Sequence, residues 1–496
     1  MTIIAENIST LLERGEQARL IPVVADTSRE QRVTSALLAT FMLVEDFGKG
    51  MLRMIDAPAS KSAKITCLTE VVFKGGENGS KLRPDGLIVV TTGGRQWCAI
   101  VEAKVGGVAL SPEQIESYLA TAKICNLDAV ITISNQYVSN PTHYPIHIDP
   151  RKTKTVRLFH WSWMSVLAEA ILHAEHKGIS DPEQAFILRE LIRYLQHPSS
   201  GVVAFSQMDS GWKDVCMAVQ NATPILRHQP SVVQAVNSWH QLARYLSLQL
   251  SVAVGRTVSV HMSRAQTENP NLWAQDAITG LVEAHQLEAE FDVPDAASRI
   301  KLVADLNRRN LMVSMRLRAP TDKSIPRATV TWLLKQLGKC LDNSAIIRAK
   351  WPGRSPDTGA TLEQLRLDPR AILTNNPKQM PVSFEIAQVT DLAGRFKGSR
   401  TFVEAAETIM PKFYSEVGQY LKAWVPAPPK ITGPVAEDSL AVDDGAIAGT
   451  DKVSIDIPPN GPEAPRPFDK STFGQQSEIG ESQTSATAHA ADSGTT

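Results

Sequence analysis

The segment LRPDGLIVVTTGGRQWCAIVEAK, residues Leu82–Lys104, contains the strongest structural signal in the N-terminal part of this chain. Two apolar runs flank Gly93-Gly94, which is the pattern of a β-hairpin with a two-residue turn. If these two glycines form the turn, paired residues have numbers that sum to 187, and Asp85 lies opposite Glu102. Lys104 follows Glu102 by two residues and therefore shares its face of the strand.

Two carboxylates in this arrangement need a positive partner. Directly opposed residues have Cβ atoms ~5 Å apart, and like charges at that distance destabilise a sheet. Lys104 supplies one positive charge, and a divalent cation with oxygen ligands, Mg²⁺ or Mn²⁺, would supply more. The residues therefore predict a metal-dependent hydrolytic site in which Asp85 and Glu102 bind the metal and Lys104 either orients the water or stabilises charge on the transition state. The alternative is an ordinary ion pair on a solvated strand face.

The strand that carries Glu102 favours the functional interpretation. Residues 97–101 are apolar on both faces, which is typical of a buried central strand. Unpaired charge at the end of such a strand is costly, and ionisable groups held there are enriched at functional sites.

The segments around the hairpin predict an α/β mixed sheet flanked by helices. The expected elements are a helix that begins at a Thr27–Glu30 capping box, strands at Ile65–Phe73, Asp85–Thr91 and Gln96–Ala103, a helix at Ser111–Ile124, strands at Ala129–Ser134 and Thr155–His160, and a helix at Trp163–His176. The core order is thus helix, three strands, helix and strand.

Pro84-Asp85, followed after sixteen residues by Glu102-Ala103-Lys104, resembles the signature of the PD-(D/E)XK nuclease superfamily. The expected order of elements is similar to that superfamily's restriction-endonuclease-like core, and the resemblance covers roughly residues 27–135. It implies Mg²⁺-dependent (or Mn²⁺-dependent) hydrolysis of phosphodiester bonds, with DNA favoured as the substrate. Asp85 and Glu102 match the metal ligands, and Lys104 matches the catalytic lysine.

The resemblance also implies accessory residues. Many members add a glutamate from the first helix, for which Glu30 is the best match and Glu45 the second. Glu30 alternatively completes the capping box with Thr27. Glu70, on the first predicted strand, either reaches the site or faces solvent.

Gln114 and Tyr118 resemble the QxxxY motif of an exonuclease-related branch of the same superfamily. They lie four residues apart and therefore share one helical face. The alternatives are local, because Ser111 and Gln114 also form a capping box and Tyr118 can pack on the sheet.

Residues 200–425 predict a separate α+β domain for binding nucleic acid or a partner. Its expected elements include a strand at Gly280–Val293 and a long helix at Phe402–Trp424. Within it, residues 299–370 hold 15 Lys/Arg against six Asp/Glu. On the strand expected at Leu311–Arg318, Ser314, Arg316 and Arg318 share one face, which suits contacts with phosphates. The alternative is an ordinary solvated face.

The remaining composition separates a body from a tail. The 496 residues carry a net charge of −1, but residues 431–496 hold 11 acidic and three basic residues, a net −8 that leaves +7 on the rest. Residues 426–496 are expected to form a disordered acidic tail. Five scattered cysteines without a CxxC, and no long apolar run, indicate a reduced, cytoplasmic protein.

The expected organisation is a nuclease-like domain at 1–178, the α+β domain at 200–425 and the tail. The first alternative function is a non-catalytic nuclease-fold protein that binds or regulates within a bacterial stress-response or phage-defence system. This alternative also draws on a looser resemblance to bacterial stress-response proteins. A second alternative is a scaffold. Because the sequence has no GxxxxGK[ST] loop, a separate NTPase or defence-system partner stays open, and so does an oligomer.

Overall fold

The computed structural model describes residues 6–22, 25, 28–74, 82–138, 140–374, 376 and 378–426. Except for Pro426, the acidic tail lies outside the described residues, and so does Thr27 of the expected capping box. The strands are β1 (Leu12–Gln17), β2 (Lys64–Phe73), β3 (Gly86–Thr92), β4 (Arg95–Ala103), β5 (Ala129–Ser134), β6 (Arg157–Ser162), β7 (Ser259–Val260), β8 (Gln286–Asp292), β9 (Ile300–Asp305), β10 (Asn310–Arg318), β11 (Ile346–Lys350), β12 (Thr358–Thr361) and β13 (Ser383–Asp391).

The strands are joined by α-helices and a few short 3₁₀ and π turns. The helices are α1 (Glu6–Leu11), α2 (Arg29–Leu43), α3 (Glu45–Arg53), α4 (Pro112–Ile124), α5 (Trp163–Ile171), α6 (Pro182–Gln196), α7 (Ser210–Gln220), α8 (Pro230–Val254), α9 (Arg264–Glu268), α10 (Pro270–Ala284), α11 (Pro326–Gln336), α12 (Leu362–Leu367) and α13 (Ser399–Glu416). None of the described helices is long and apolar enough to cross a membrane.

The fold is mixed α/β with two sheets. The first has six strands in the order β1-β2-β3-β4-β5-β6. Strands β1 to β4 are antiparallel neighbours, and β4, β5 and β6 run parallel. The predicted mixed sheet is therefore confirmed. Strand β1 was not predicted, because LERGEQ is polar and almost fully exposed.

The hairpin register is the predicted one. Its pairs run from Thr92↔Arg95 to Gly86↔Val101, and the numbers of each pair sum to 187. The two turn residues, Gly93 and Gly94, have φ values of 55° and 80°. Both lie in the left-handed region that a type I′ turn requires, which explains why glycine occupies both positions.

Both faces of β4 are buried over residues 98–103, as predicted for the strand that carries Glu102. Val101 and Ile88 pack into a hydrophobic cluster that includes Leu38 of α2. On the opposite face, Ile100 packs into a second cluster that includes Leu119 of α4. The sheet is thus a layer between α2 on one side and α4 on the other, and these two helices bring their side chains to the end of β4.

The approach of α2 to the sheet depends on Gly86. A Cβ atom at Gly86 would lie 2.4 Å from Leu38 Cδ1 and 3.1 Å from the carbonyl oxygen of Leu68. The first turn of α2 follows Ser28, whose side chain makes no capping hydrogen bond. The position of that first turn therefore depends on tertiary contacts.

The second sheet has seven antiparallel strands in the order β12-β11-β13-β10-β9-β8-β7. One hydrophobic cluster contains side chains from both sheets, including Val101 and Val313. The boundary proposed near residues 178–200 stays a prediction.

Two predicted elements of this second region are corrected. The strand expected at Gly280–Val293 begins only at Gln286, because α10 continues to Ala284. His285 then takes a left-handed φ of 53° and its N–H bonds the carbonyl of Gly280, which ends the helix. The helix expected at Phe402–Trp424 ends at Glu416.

Candidate functional site

The predicted catalytic residues meet at the end of β4, a central strand of the first sheet. Glu102 is the second-last residue of that strand and is 2% exposed, and the side chain of Lys104 just beyond it is 13% exposed. Asp85 lies in the bend before β3, because the ladder ends at Gly86. Its Oδ2 instead accepts a hydrogen bond of 2.8 Å from the backbone N–H of Ala103. The carboxylate is therefore held against the end of β4.

The accessory residues come to the same place from two helices. Lys104 Nζ donates to Glu102 Oε1 at 2.8 Å and to Glu30 Oε1, on α2, at 3.1 Å. Gln114 Nε2, on α4, donates to Glu102 Oε1 at 2.9 Å and to the hydroxyl of Tyr118 at 2.9 Å. The structure thus brings all six predicted site residues together.

The structure bears on the alternative interpretations of three accessory residues, Glu45, Gln114 and Glu30. Glu45 lies elsewhere, where its Oε2 accepts a hydrogen bond of 2.6 Å from Lys49. Only half of the capping box expected at Ser111 and Gln114 forms: the backbone N–H of Gln114 donates to Ser111 Oγ at 3.2 Å, but its side chain donates to Glu102 instead. The capping-box interpretation of Glu30 involves Thr27 and lies outside the described residues.

One carboxylate oxygen of Glu102 is unsatisfied. Glu102 Oε2 is buried and has no hydrogen-bond partner among the described residues. A buried neutral acceptor without a hydrogen-bond partner costs about 1–3 kcal/mol, and a charged oxygen costs more. Glu102 Oε2 is therefore suited to bind a cation that no described residue supplies. Asp85 and Glu102 are hard oxygen donors, the type that Mg²⁺ and Mn²⁺ prefer.

Burial and neighbouring charges shift the pKa values of the residues in this cluster. Burial, and then the charge of Glu102, raise the pKa of Asp85 to about 7 against the Ala103 N–H and Lys104, which lower it. Burial lowers the pKa of Lys104, but its hydrogen bond to Glu102 and the nearby carboxylates outweigh burial and raise the pKa to about 12. Burial also raises the pKa of the Tyr118 phenol. Lys104 and Tyr118 therefore keep their protons at neutral pH and act as hydrogen-bond donors.

Three further polar residues close a ring around Asp85. Gln31 Nε2, next to Glu30 on α2, donates to Glu70 Oε1 at 2.9 Å. Glu70 Oε2 accepts from Arg83 at 2.9 Å. The backbone carbonyl of Arg83 accepts from the Tyr118 hydroxyl at 3.4 Å, which leads back to Gln114 and Glu102. Sequence reasoning missed Gln31 and Arg83, whose only signal is their position beside Glu30 and Asp85.

A β-bulge places Glu70 in this ring. The register of β1 on β2 shifts between Glu16↔Thr69 and Arg14↔Val72, and Glu70 has a left-handed φ of 52°. Such a conformation costs a non-glycine residue of order 1 kcal/mol or more and is concentrated at functional sites.

A cavity of about 110 Å³ opens beside the bulge. Asp85, Glu70, Gln31, Ser35 and Arg19 are among the residues that line it. Because a water molecule needs roughly 10–15 Å³ by this measure, several waters or substrate oxygens fit next to Asp85.

The ligand set is small. Within the part of the chain that the structure describes, no three His, Cys, Asp or Glu side chains form a group that could hold a metal ion. A metal at this site would therefore have two carboxylate ligands and take its other ligands from water or substrate. Mg²⁺ commonly binds in this way, through one or two carboxylates with substrate phosphates.

Comparisons of the chain with protein-family models, with curated proteins and with solved structures found no match. The functional interpretation therefore depends on the residues of the site and on their geometry.

The raised pKa of Asp85 predicts a stability that depends on pH. Because the proton is held more tightly in the folded chain, with a pKa of about 7 against 3.8, this stabilisation is complete below about pH 4 and is lost as pH rises through 7. The loss amounts to at most ~4 kcal/mol. The Asp85→Asn variant has no carboxyl group that titrates at this position. Its free energy of unfolding, relative to that of the wild type, should therefore increase between pH 5 and pH 8.5.

Urea unfolding of both proteins without metal, at about pH 5 and pH 8.5, measures the difference. Asp149→Asn is the control, because Asp149 is an exposed carboxylate whose pKa its Arg151 partner lowers to about 2. A stability difference between Asp85→Asn and the wild type that is the same at both pH values would contradict the assignment.

Proposed function

We propose that this chain is a metal-dependent nuclease of the PD-(D/E)XK type with a restriction-endonuclease-like domain, hydrolysing phosphodiester bonds, with DNA favoured as the substrate. The observation that carries the proposal is the buried Oε2 of Glu102, which has no partner among the described residues, with Asp85 in the bend before β3 and the ammonium of Lys104 at the other oxygen. A mixed sheet with α2 and α4 on opposite faces supports the fold assignment.

Asp85 and Glu102 would hold the metal. When bound, Mg²⁺ or Mn²⁺ would polarise the scissile phosphate and lower the pKa of a bound water. Gln114 fixes the orientation of Glu102 through its 2.9 Å hydrogen bond, so that Oε2 rather than Oε1 is presented. The two side chains are thereby positioned before substrate arrives, which avoids reorganisation during the reaction.

Lys104 acts as a donor in this proposal. With a pKa of about 12 its ammonium keeps its proton near neutral pH, and Glu102 and Glu30 fix its position. A fixed cation stabilises charge that develops on a phosphate oxygen, and typical donors of this kind contribute ~10²–10³-fold to a rate. Glu30 is a positioning residue, because it acts through Lys104.

The test combines metal binding with cleavage by the full-length chain. Mg²⁺ or Mn²⁺ should raise the melting temperature, since a ligand at about 100 times its Kd stabilises the folded state by ~2.7 kcal/mol. The same metals should support cleavage of plasmid, linear duplex, single-stranded DNA or RNA, and EDTA should stop it. Glu45→Gln, in which an exposed carboxylate outside the site is neutralised, should show the same metal-induced shift in melting temperature and the same cleavage as the wild type.

The outcome also separates the alternatives. A non-catalytic nuclease-fold protein would gain stability with metal but cleave none of the four substrates. A scaffold would show neither effect. Either result would overturn the proposal.

A further inference from the structure

The outer face of the second sheet carries a strip of basic residues in cross-strand register. Arg316 of β10 lies directly opposite Glu385 of β13, and Glu385 lies directly opposite Arg348 of β11. One row further along, the same strands place Arg318, Ser383 and Lys350 side by side. Since neighbouring strands lie about 4.8 Å apart and rows on one face about 7 Å, the four cations share one small area. We call these four cations, Arg316, Arg318, Arg348 and Lys350, the basic strip.

Neither hydrophobic cluster of the described residues includes a side chain from this face. The inward residues of the strands, such as Leu302 and Ile386, belong to the main hydrophobic cluster. Val303 and Ala387 point to the other face and belong to neither cluster, although both are buried. Arg316 and Arg318 are exposed. The strip therefore faces solvent.

Two cations of the strip are not neutralised. Arg348 pairs with Glu385 at 3.4 Å, and Lys350 lies 3.8 Å from Asp357. Arg316 and Arg318 form no ion pair within the described residues. Arg354, in the loop after β11, is also exposed and adds a further positive charge.

The other half of the same face differs. Lys301 of β9 pairs with Glu288 of β8 at 2.6 Å, and Arg299 pairs with Asp292 at 2.9 Å. Cations on the β8–β9 side are therefore matched by carboxylates. The charge excess is confined to the strip across β10, β13 and β11.

The residue types on this face indicate what the strip binds. Its outward positions on β10, β13 and β11 contain no aromatic side chain, as the cross-strand partners Met312↔Val389, Ser314↔Ala387 and Ile346↔Ala387 illustrate. Proteins that bind single strands stack the bases on aromatic side chains, whereas phosphate contacts require only cations. A face that offers guanidinium groups without aromatic rings suits the backbone of a duplex, read without regard to sequence.

We propose that the basic strip binds the phosphate backbone of double-stranded nucleic acid and that the chain's substrate is therefore duplex. The inference rests on the proposed nuclease function, since it takes the partner to be the substrate of that site. Guanidinium groups form bidentate pairs with phosphate, which explains the value of two exposed arginines that form no ion pair within the described residues.

The experiment measures binding in EDTA, so that no cleavage is needed. A labelled ~20-base-pair duplex is titrated into the full-length protein at several salt concentrations, followed by fluorescence anisotropy. The double variant Arg316→Gln/Arg318→Gln should lower the magnitude of the slope of log K against log[salt] by about 1.8, for two lost phosphate contacts. The same loss corresponds to roughly 100-fold weaker binding at about 50 mM salt. Arg189→Gln/Arg193→Gln, on exposed positions of α6, removes equal charge and should bind as the wild type.

Two further probes test the identity of the partner. Oligo(dT) should bind more weakly than the duplex, because the strip has no rings on which bases can stack. Poly-glutamate is the second probe, since the acidic residues 431–496 offer a negative peptide as an alternative occupant. If poly-glutamate competed as well as duplex at equal charge, an acidic protein segment would be the partner and the proposal would be wrong.

The experiments distinguish a failure of the basic-strip proposal from a failure of the nuclease proposal. Duplex binding that depends on the strip, without metal-dependent cleavage, would overturn only the proposed chemistry. Metal-dependent cleavage together with unchanged duplex affinity and salt slope in Arg316→Gln/Arg318→Gln would overturn only the strip.

Discussion

Glu102→Gln is expected to reduce metal-dependent cleavage at least ~10³-fold, equivalent to about 4 kcal/mol of transition-state stabilisation. The substitution keeps the shape of the side chain and leaves an oxygen for Gln114 and Lys104 to bond, where Oε1 now accepts from both. It replaces the unpartnered Oε2 by an amide N–H₂, which is a hydrogen-bond donor and cannot bind a cation. The site loses a ligand and a charge at once.

The fold should survive this change. Lys104 keeps Glu30 at 3.1 Å, and removal of the Glu102 charge relieves the repulsion that helps to raise the pKa of Asp85. Circular dichroism and urea unfolding establish that the variant is folded, and a thermal shift with Mn²⁺ should show no stabilisation. Glu45→Gln supplies the control for removal of a carboxylate outside the site. Full cleavage by folded Glu102→Gln would refute the catalytic assignment.

Lys104→Ala should produce the largest loss of stability among the site variants. Its ammonium is the cation that Glu102 and Glu30 share, and its charge also lowers the pKa of Asp85. Removing one partner of a buried ion pair typically costs ~3–5 kcal/mol, because the other charge stays buried without compensation. This cost in unfolding free energy should be smaller at about pH 5 than at pH 8. At pH 5 Asp85 is protonated, so the site contains one negative charge fewer.

The same variant should still bind metal, because an ammonium is not a ligand. Mn²⁺ would replace the missing positive charge, so the metal-induced rise in melting temperature should exceed that of the wild type while cleavage falls at least ~10²-fold. Isothermal titration with Mn²⁺ and circular dichroism test this together. Lys49→Ala is the matched control, since Lys49 is also buried and paired but lies outside the site. Normal cleavage by folded Lys104→Ala would rule out its proposed role.

The sequence predicted the centre of the site because one local feature fixes it. Two glycines with left-handed φ set a two-residue turn, and the turn sets the register that brings Asp85 to Glu102. The side-chain direction of Lys104 follows from the alternation of a strand. Counting from the turn was sufficient because the predicted register holds as far as Gly86↔Val101, the pair next to Asp85 and Glu102.

The remainder of the ring could not be predicted from pattern. The bulge at Glu70 breaks the alternation of β2, so that no count from neighbouring residues gives the direction of that side chain. The pairing of Gln31 with Glu70 joins residues 39 apart, and depends on how closely α2 packs against the sheet at Gly86. In the second sheet, β11 and β12 are too short to produce a clear period.

The start of α2, where the side chain of Ser28 makes no capping hydrogen bond, gives this ring a further consequence. Glu30 and Gln31 are consecutive, and each closes one end of the ring, through Lys104 and Glu70 respectively. The first turn of the helix therefore frays only if both ends of the ring open, and the ring opens if that turn frays. Local unfolding of the helix start and loss of the preorganised site are then one cooperative event, and the rate at which the amides of that turn exchange with deuterium reports how often the site is disassembled.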